Sequence, residues 1–77
     1  MEALLFVAER DEERFEIVGD DGWGVYVFRY FAGQNTHDYL QDNVQMAHRC
    51  AEAEWGVPVS AWRPALAGEK PLWKKPN

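Results

Sequence analysis

The sequence has a single cysteine and no long apolar run among its 77 residues. One cysteine excludes an internal disulfide, which suits a reducing compartment. No stretch approaches the roughly 20 apolar residues that cross a bilayer, and the first ten residues, MEALLFVAER, lack the basic start and cleavage site of a signal peptide. We therefore expect a cytoplasmic protein without membrane contact.

Basic residues are also scarce: eight Lys or Arg stand against thirteen Asp or Glu, for a net charge of −5. Residues 1–64 carry twelve acids against five bases, a balance of −7, whereas residues 65–77 carry one acid and three lysines, a balance of +2. An acidic body repels a phosphate backbone, so we expect no nucleic-acid binding. A protein partner suits this charge better.

Apolar residues are abundant, at 47% of the chain, and eleven residues are aromatic. This composition indicates a folded chain, and its length suits one domain. We expect that domain at residues 1–64, followed by a C-terminal tail, residues 65–77, that is either disordered or packed on the domain.

Three segments rich in β-branched and aromatic residues predict strands, and turn-forming or charged residues separate them. They are Leu4–Ala8, Arg14–Val18 and Trp23–Phe31. Pairing Glu9 with Arg14 and Val18 with Trp23 gives a three-stranded meander. One face then forms the core, with Leu4, Phe6, Ala8, Phe15, Ile17, Tyr26, Phe28 and Tyr30.

An amphipathic helix is predicted from His37 to Trp55, ended by Gly56 and kept from resuming by Pro58. Its apolar stripe, spaced by three or four residues, packs on the core face. The stripe consists of Leu40, Val44, Ala47, Ala51 and Trp55. The predicted fold is α+β, with a three-stranded antiparallel β-meander and one C-terminal α-helix on one face.

The helix end, EWGVPVSAW, resembles that of small uncharacterised bacterial domains in which a helix ends in Tyr or Trp, then Gly, then a proline turn with Trp. The resemblance covers residues 23–64 at most. It implies a small α+β fold and brings no catalytic residues.

The residues that could perform chemistry do not converge. Cys50 lies about 160° around the predicted helix from His48, and His37 lies roughly 16 Å along the helix from His48. The carboxylate clusters ERDEER and GDDG fall at predicted turns without a calcium-loop pattern. We therefore expect no enzyme, no metal and no cofactor.

The second face of the predicted sheet has an apolar centre that one helix cannot cover. Its binding candidates are Trp23, Val25, Val27, Arg14 and Arg29, and three interpretations compete. The face, or an edge strand, forms a homodimer; it holds a different protein; or the tail crosses the face and buries Leu72 and Trp73.

The sequence thus favours a non-catalytic protein-binding or assembly module that is homo-oligomeric through the free face or edge. The alternative is an acidic inhibitor or immunity-like protein that binds a basic enzyme. Its contact would be Asp11, Glu12, Glu13, Asp20 and Asp21.

Overall fold

A computed structural model describes residues 3–20, 22 and 24–72 of the chain. It is an α+β fold in which one helix packs on an antiparallel sheet of five strands. The sheet order is β4-β3-β2-β1-β5. The elements are β1 Ala3–Arg10, β2 Glu13–Asp20, β3 Gly24–Phe31, β4 Gln34–Gln41, the helix α1 Val44–Trp55, a short 3-10 turn Val59–Ala61, and β5 Arg63–Pro64.

The first hairpin has the predicted register. Glu9 pairs with Arg14, and the next pairs inward keep the same alignment as far as Phe6 and Ile17. The tip consists of two residues, Asp11 and Glu12, and Asp11 takes a positive φ of 52°. Tight two-residue hairpins need such a conformation, and Asp tolerates it.

The predicted register of the second hairpin is wrong. Val18 lies opposite Tyr26 and not Trp23, a shift of three residues. Because side chains alternate between the faces of a strand, an odd shift exchanges the faces of β3 relative to β2. Val25 and Val27 therefore join the helix-covered face, whereas Tyr26, Phe28 and Tyr30 lie on the other face.

A fourth long strand replaces the predicted start of the helix, so the three-stranded meander is corrected to a five-stranded sheet. Ala32 and Gly33 both have positive φ, 51° and 84°, and form a two-residue turn that returns the chain along β3. The helix begins later, where the Asn43 side chain accepts a hydrogen bond from the Met46 amide at 2.9 Å.

Gly24, at the start of β3, fixes how closely β4 approaches. Its φ is 110°, and a Cβ there would lie 2.3 Å from the carbonyl oxygen of Gln41. Only glycine fits that contact. The end of the helix agrees with the prediction, since Gly56 is the left-handed cap that follows Trp55.

The helix-covered face forms the larger apolar core. Ala47 and Ala51 of α1 are fully buried, so the helix axis lies close to the sheet, as expected. Trp62 lies over the edge of this core against Phe15, with ring centroids 6.5 Å apart. Leu40, which the sequence placed in the helix stripe, instead lies on β4 and is exposed.

The second face is also apolar, but the chain itself covers it. Its buried residues are Leu4, Val7, Val18, Phe28 and Tyr30. Ala65 packs against them, and the segment that continues to Leu72 binds the same face. The interpretation in which the tail crosses a sheet face and buries Leu72 and Trp73 stays a prediction, since Leu72 is 44% exposed and Trp73 lies outside the described residues.

No helix in the described part of the chain is long and apolar enough to span a membrane.

Candidate protein-binding site

The predicted binding centre does not lie on the surface. Val25 and Val27 are buried in the core beneath α1, as a direct result of the corrected register. Trp23 lies outside the described residues. The predicted apolar contact surface is therefore corrected to a part of the interior.

The two predicted arginines lie on opposite faces of the sheet and are not brought together. Arg14 binds Glu16 at 2.7 Å and Glu9 at 3.2 Å on the face that the C-terminal segment covers. Burial lowers the pKa of Arg14, but the hydrogen bonds and charges of Glu16 and Glu9 together outweigh burial, so the pKa lies above its ordinary value. Arg29 is on the helix side, beside β4.

The open edge of the sheet is β4. It pairs with β3, and no other described strand lies along its outer side. Six of its eight residues are exposed, among them Leu40 at 52%. A strand edge of this kind presents unpaired backbone donors and acceptors to a partner.

β4 lacks most of the features that keep an edge strand from pairing with another chain. It contains no lysine and no proline, and Asp38 is its only charged residue apart from the titratable His37. An irregularity in the pairing lies between Arg29 and Tyr30 of β3, but the stretch from His37 to Gln41 pairs regularly. Five consecutive residues therefore offer a regular edge.

A cluster of rings stands beside this edge on the helix side. His37, Tyr39 and Trp55 form it, with centroid separations of 5.9 Å from His37 to Trp55 and 5.8 Å from Tyr39 to Trp55. Trp55 also contacts the buried ring of Phe15 at 5.5 Å, which anchors the cluster to the core. Trp and Tyr are among the residue types that most often carry binding energy at protein interfaces.

A chain of charges fixes the position of this ring cluster. Arg10 donates to the Trp55 carbonyl at 2.8 Å and to Glu13 at 2.6 Å, and Glu13 also accepts from Arg29 at 2.7 Å. The hydrogen bonds from Arg10 and then from Arg29 lower the pKa of Glu13. Arg29 also donates to Thr36 of β4 at 2.8 Å, which ties this network to the edge strand.

Cys50 and His48, two of the residues considered for chemistry, both lie on α1. Burial, followed by the charge of Glu54, raises the pKa of the Cys50 thiol, which makes it less reactive. His48 packs between Phe6 and Trp62, each at 5.3 Å, and burial lowers its pKa. Among the described residues, no three His, Cys, Asp or Glu side chains come close enough to hold a metal ion.

One small apolar cleft lies between β1 and the turn after α1. Its volume is about 50 Å³, and it is lined by Ala8, Glu9, Arg10, Phe15, Val57, Pro58 and Ala61. Pockets for small molecules are several times larger.

Searches against protein-family models, curated proteins and solved structures return no match for this chain.

The sequence analysis does not predict the edge strand β4, although two signals in the sequence indicate it. Ala32 and Gly33 separate a clear strand from QNTHDYLQ, as a two-residue hairpin turn does. Asn43, which precedes the apolar stripe that begins at Val44, is as good an N-cap as Asn35.

Proposed function

We propose that the protein is a non-catalytic assembly module that forms a homodimer through the outer edge of β4. The observation that supports the proposal is the regularly paired stretch from His37 to Gln41, which has no described strand along its outer side. Pairing two such edges turns two sheets into one continuous sheet and satisfies backbone groups on both copies.

The alternation of side chains along β4 and the charge of Asp38 favour one pairing register for the two β4 strands. When the helices of both copies lie on the same side of the joined sheet, residues that lie opposite each other must point to the same face. The two-fold axis then passes between the two copies of one β4 residue, on which the pair is centred. Centring the pair on Asp38 would set two carboxylates opposite each other, which destabilises the contact. Centring it on Tyr39 instead places Asp38 opposite Leu40 of the second copy and His37 opposite its Gln41.

The ring cluster lies next to this proposed contact and supplies side-chain area. His37 and Tyr39 belong to β4 itself, and Trp55 packs on both of them. In the dimer these rings would gather on the helix side, flanking the axis. Such aromatic area adds binding energy to the main-chain hydrogen bonds of a joined edge.

Sedimentation equilibrium from micromolar to millimolar protein tests the proposal. We expect the wild-type mass to rise from monomer to dimer, and Leu40→Asp to weaken the dimer at least about tenfold because it places a second carboxylate opposite Asp38 of the other copy on each side of the axis. Val59→Asp is the matched control, since Val59 is 58% exposed and lies in the 3-10 turn, away from β4. It should dimerise like the wild type.

A wild-type chain that keeps the monomer mass up to millimolar concentration would remove the homodimer. Equal weakening by the Leu40 and Val59 variants would place the contact elsewhere.

The acidic-inhibitor alternative has one observation in its favour. Asp11 and Glu12 are exposed at the tip of the first hairpin. Glu13 is already bound by two arginines, which leaves fewer carboxylates for a basic enzyme. A basic partner that is captured at 0.03 M salt and lost at 0.5 M salt would favour this alternative, because the electrostatic screening length is roughly fourfold shorter at the higher concentration.

A further inference from the structure

His48 of α1 lies between two rings at the edge of the helix-covered core. Its imidazole contacts Phe6 of β1 and Trp62, which follows the 3-10 turn, edge to face and with ring centroids 5.3 Å apart in each pair. Trp62 in turn contacts the buried ring of Phe15 at 6.5 Å. The imidazole therefore joins the sheet, the helix and the turn at one point.

One nitrogen of this imidazole favours the uncharged ring. Nδ1 of His48 is buried, and no described residue gives it a hydrogen-bond partner. An uncharged ring can carry its hydrogen on Nε2 and leave Nδ1 as a lone pair, whereas a protonated ring has an N–H at both nitrogens. Protonation would therefore bury a charge and an N–H donor without an acceptor, which costs free energy.

The stretch 58–62, which contains the 3-10 turn, has few other attachments to the core. None of the three residues of the turn is buried, and no side chain caps it. Val57 before the stretch is buried, and Arg63 after it pairs with Val7 of β1. Between these two fixed points, the ring contacts of Trp62 are the main attachment. The indole Nε1 of Trp62 is itself buried without a partner among the described residues, although a buried indole N–H usually finds one.

The charged side chains around His48, in the part of the chain that the structure describes, have other partners or lie in solvent. Glu9 and Arg10 of β1 bind Arg14 and Glu13, and Arg63 binds Glu69. The titratable neighbours on α1 are the exposed Arg49, Glu52 and Glu54 and the half-buried Cys50. Glu52 lies one turn further along α1 than His48, but its exposed charge is screened by water. Burial is the cause that lowers the pKa of His48 below its ordinary value of 6.5.

We propose that His48 is an acid-sensitive switch for the stretch 58–62, in which the uncharged ring holds Trp62 on the core and the protonated ring turns toward water and releases Trp62. The ring is half-buried, so one side already faces solvent. Because the folded state favours the uncharged ring, its contribution is complete above pH 6.5 and is lost as the pH falls below that value. The release is local, since Ala47 and Ala51 hold α1 on the sheet by burial alone.

Solvent exchange of the Trp62 indole N–H, measured by NMR in a dilute sample at about pH 7.5 and about pH 5.5, tests the proposal. Histidines are the side chains that change charge in this range, and the chain has two. After correction for the intrinsic rate, we expect protection of the indole to fall about threefold at the lower pH. His48→Phe keeps a ring that cannot become charged and should abolish the fall. His37→Phe is the matched control and should keep it.

The wild-type chain supplies a second test that needs no variant. The resonances of the His48 ring and of the Trp62 indole should titrate with one common midpoint below pH 6.5. A His48 midpoint at or above 6.5, equal protection of Trp62 at the two pH values, or a fall that persists in His48→Phe would overturn the proposal.

Discussion

The two faces of the sheet are both closed, but by different physical means. The helix side is closed by apolar packing, in which Ala47 and Ala51 bring α1 close to Ile17 and Val27. The other side is closed by a segment that is fastened through Glu16 and Glu69. Apolar packing changes little with pH or moderate salt, whereas contacts between charged groups depend on both. The second face should therefore open first.

The largest expected effect comes from the helix side. Ile17→Ala removes buried methyl groups from the centre of that core and should lower the free energy of unfolding by about 4 kcal/mol. Ile17→Val, the milder change, should cost about 1 kcal/mol. Urea denaturation measures both. Equal, small losses from the two variants would mean that the helix-covered core is loosely packed.

The second prediction concerns the buried carboxylate of the other face. Glu16→Gln removes a charge that both Arg14 and the Leu72 amide contact, and should lower the free energy of unfolding by about 2 kcal/mol. Hydrogen exchange of the Leu72 amide should become faster. The exchange rates of the α1 amides should change only as far as the free energy of global unfolding changes. Glu12→Gln serves as the control. Helix and segment amides that respond alike would show that the faces open together.

The third and smallest effect is on pH dependence. The hydrogen bonds from Arg63, and then from the Leu66 amide, hold the pKa of Glu69 at about 2, below its ordinary value of 4.5. Because the folded-state pKa is depressed, the contribution of Glu69 is complete above pH 4.5 and is lost as the pH falls to about 2. NMR titration of the Glu69 carboxyl carbon should show a midpoint near that lower value. A midpoint near 4.5 would mean that the segment is not fastened there.

The sequence predicts the first hairpin well because its signals agree. Glu9 and Arg14 are opposite charges across a two-residue tip, and the aromatic and β-branched residues on either side alternate in phase. The second hairpin has no such signal. Its GDDGWG turn permits several loop lengths, and a shift of three residues exchanges the faces of β3.

The candidate site was harder to predict than the α+β class. β4 is polar, and Leu40 happens to continue the spacing of the true helix stripe, so the pattern extended the helix backwards over the strand. The segment is held by Arg14 and Glu16 of β2, and Glu16 lies 56 positions along the chain from the Leu72 amide that it accepts from. Periodicity gives no information about such polar contacts. Of the predicted binding residues that the structure describes, Val25, Val27 and Arg29 all pair with β4, but the two valines are buried and Arg29 alone of the three donates a side-chain hydrogen bond to it.

Hydrogen exchange of the β4 amides at two protein concentrations tests the central claim most directly, since the edge is proposed to be the contact between copies. In a dilute sample, every second amide from His37 to Gln41 should exchange rapidly because it points away from β3. At millimolar concentration those same amides should become protected, while the amides of α1 stay unchanged. Exchange at β4 that is the same at both concentrations would contradict the account.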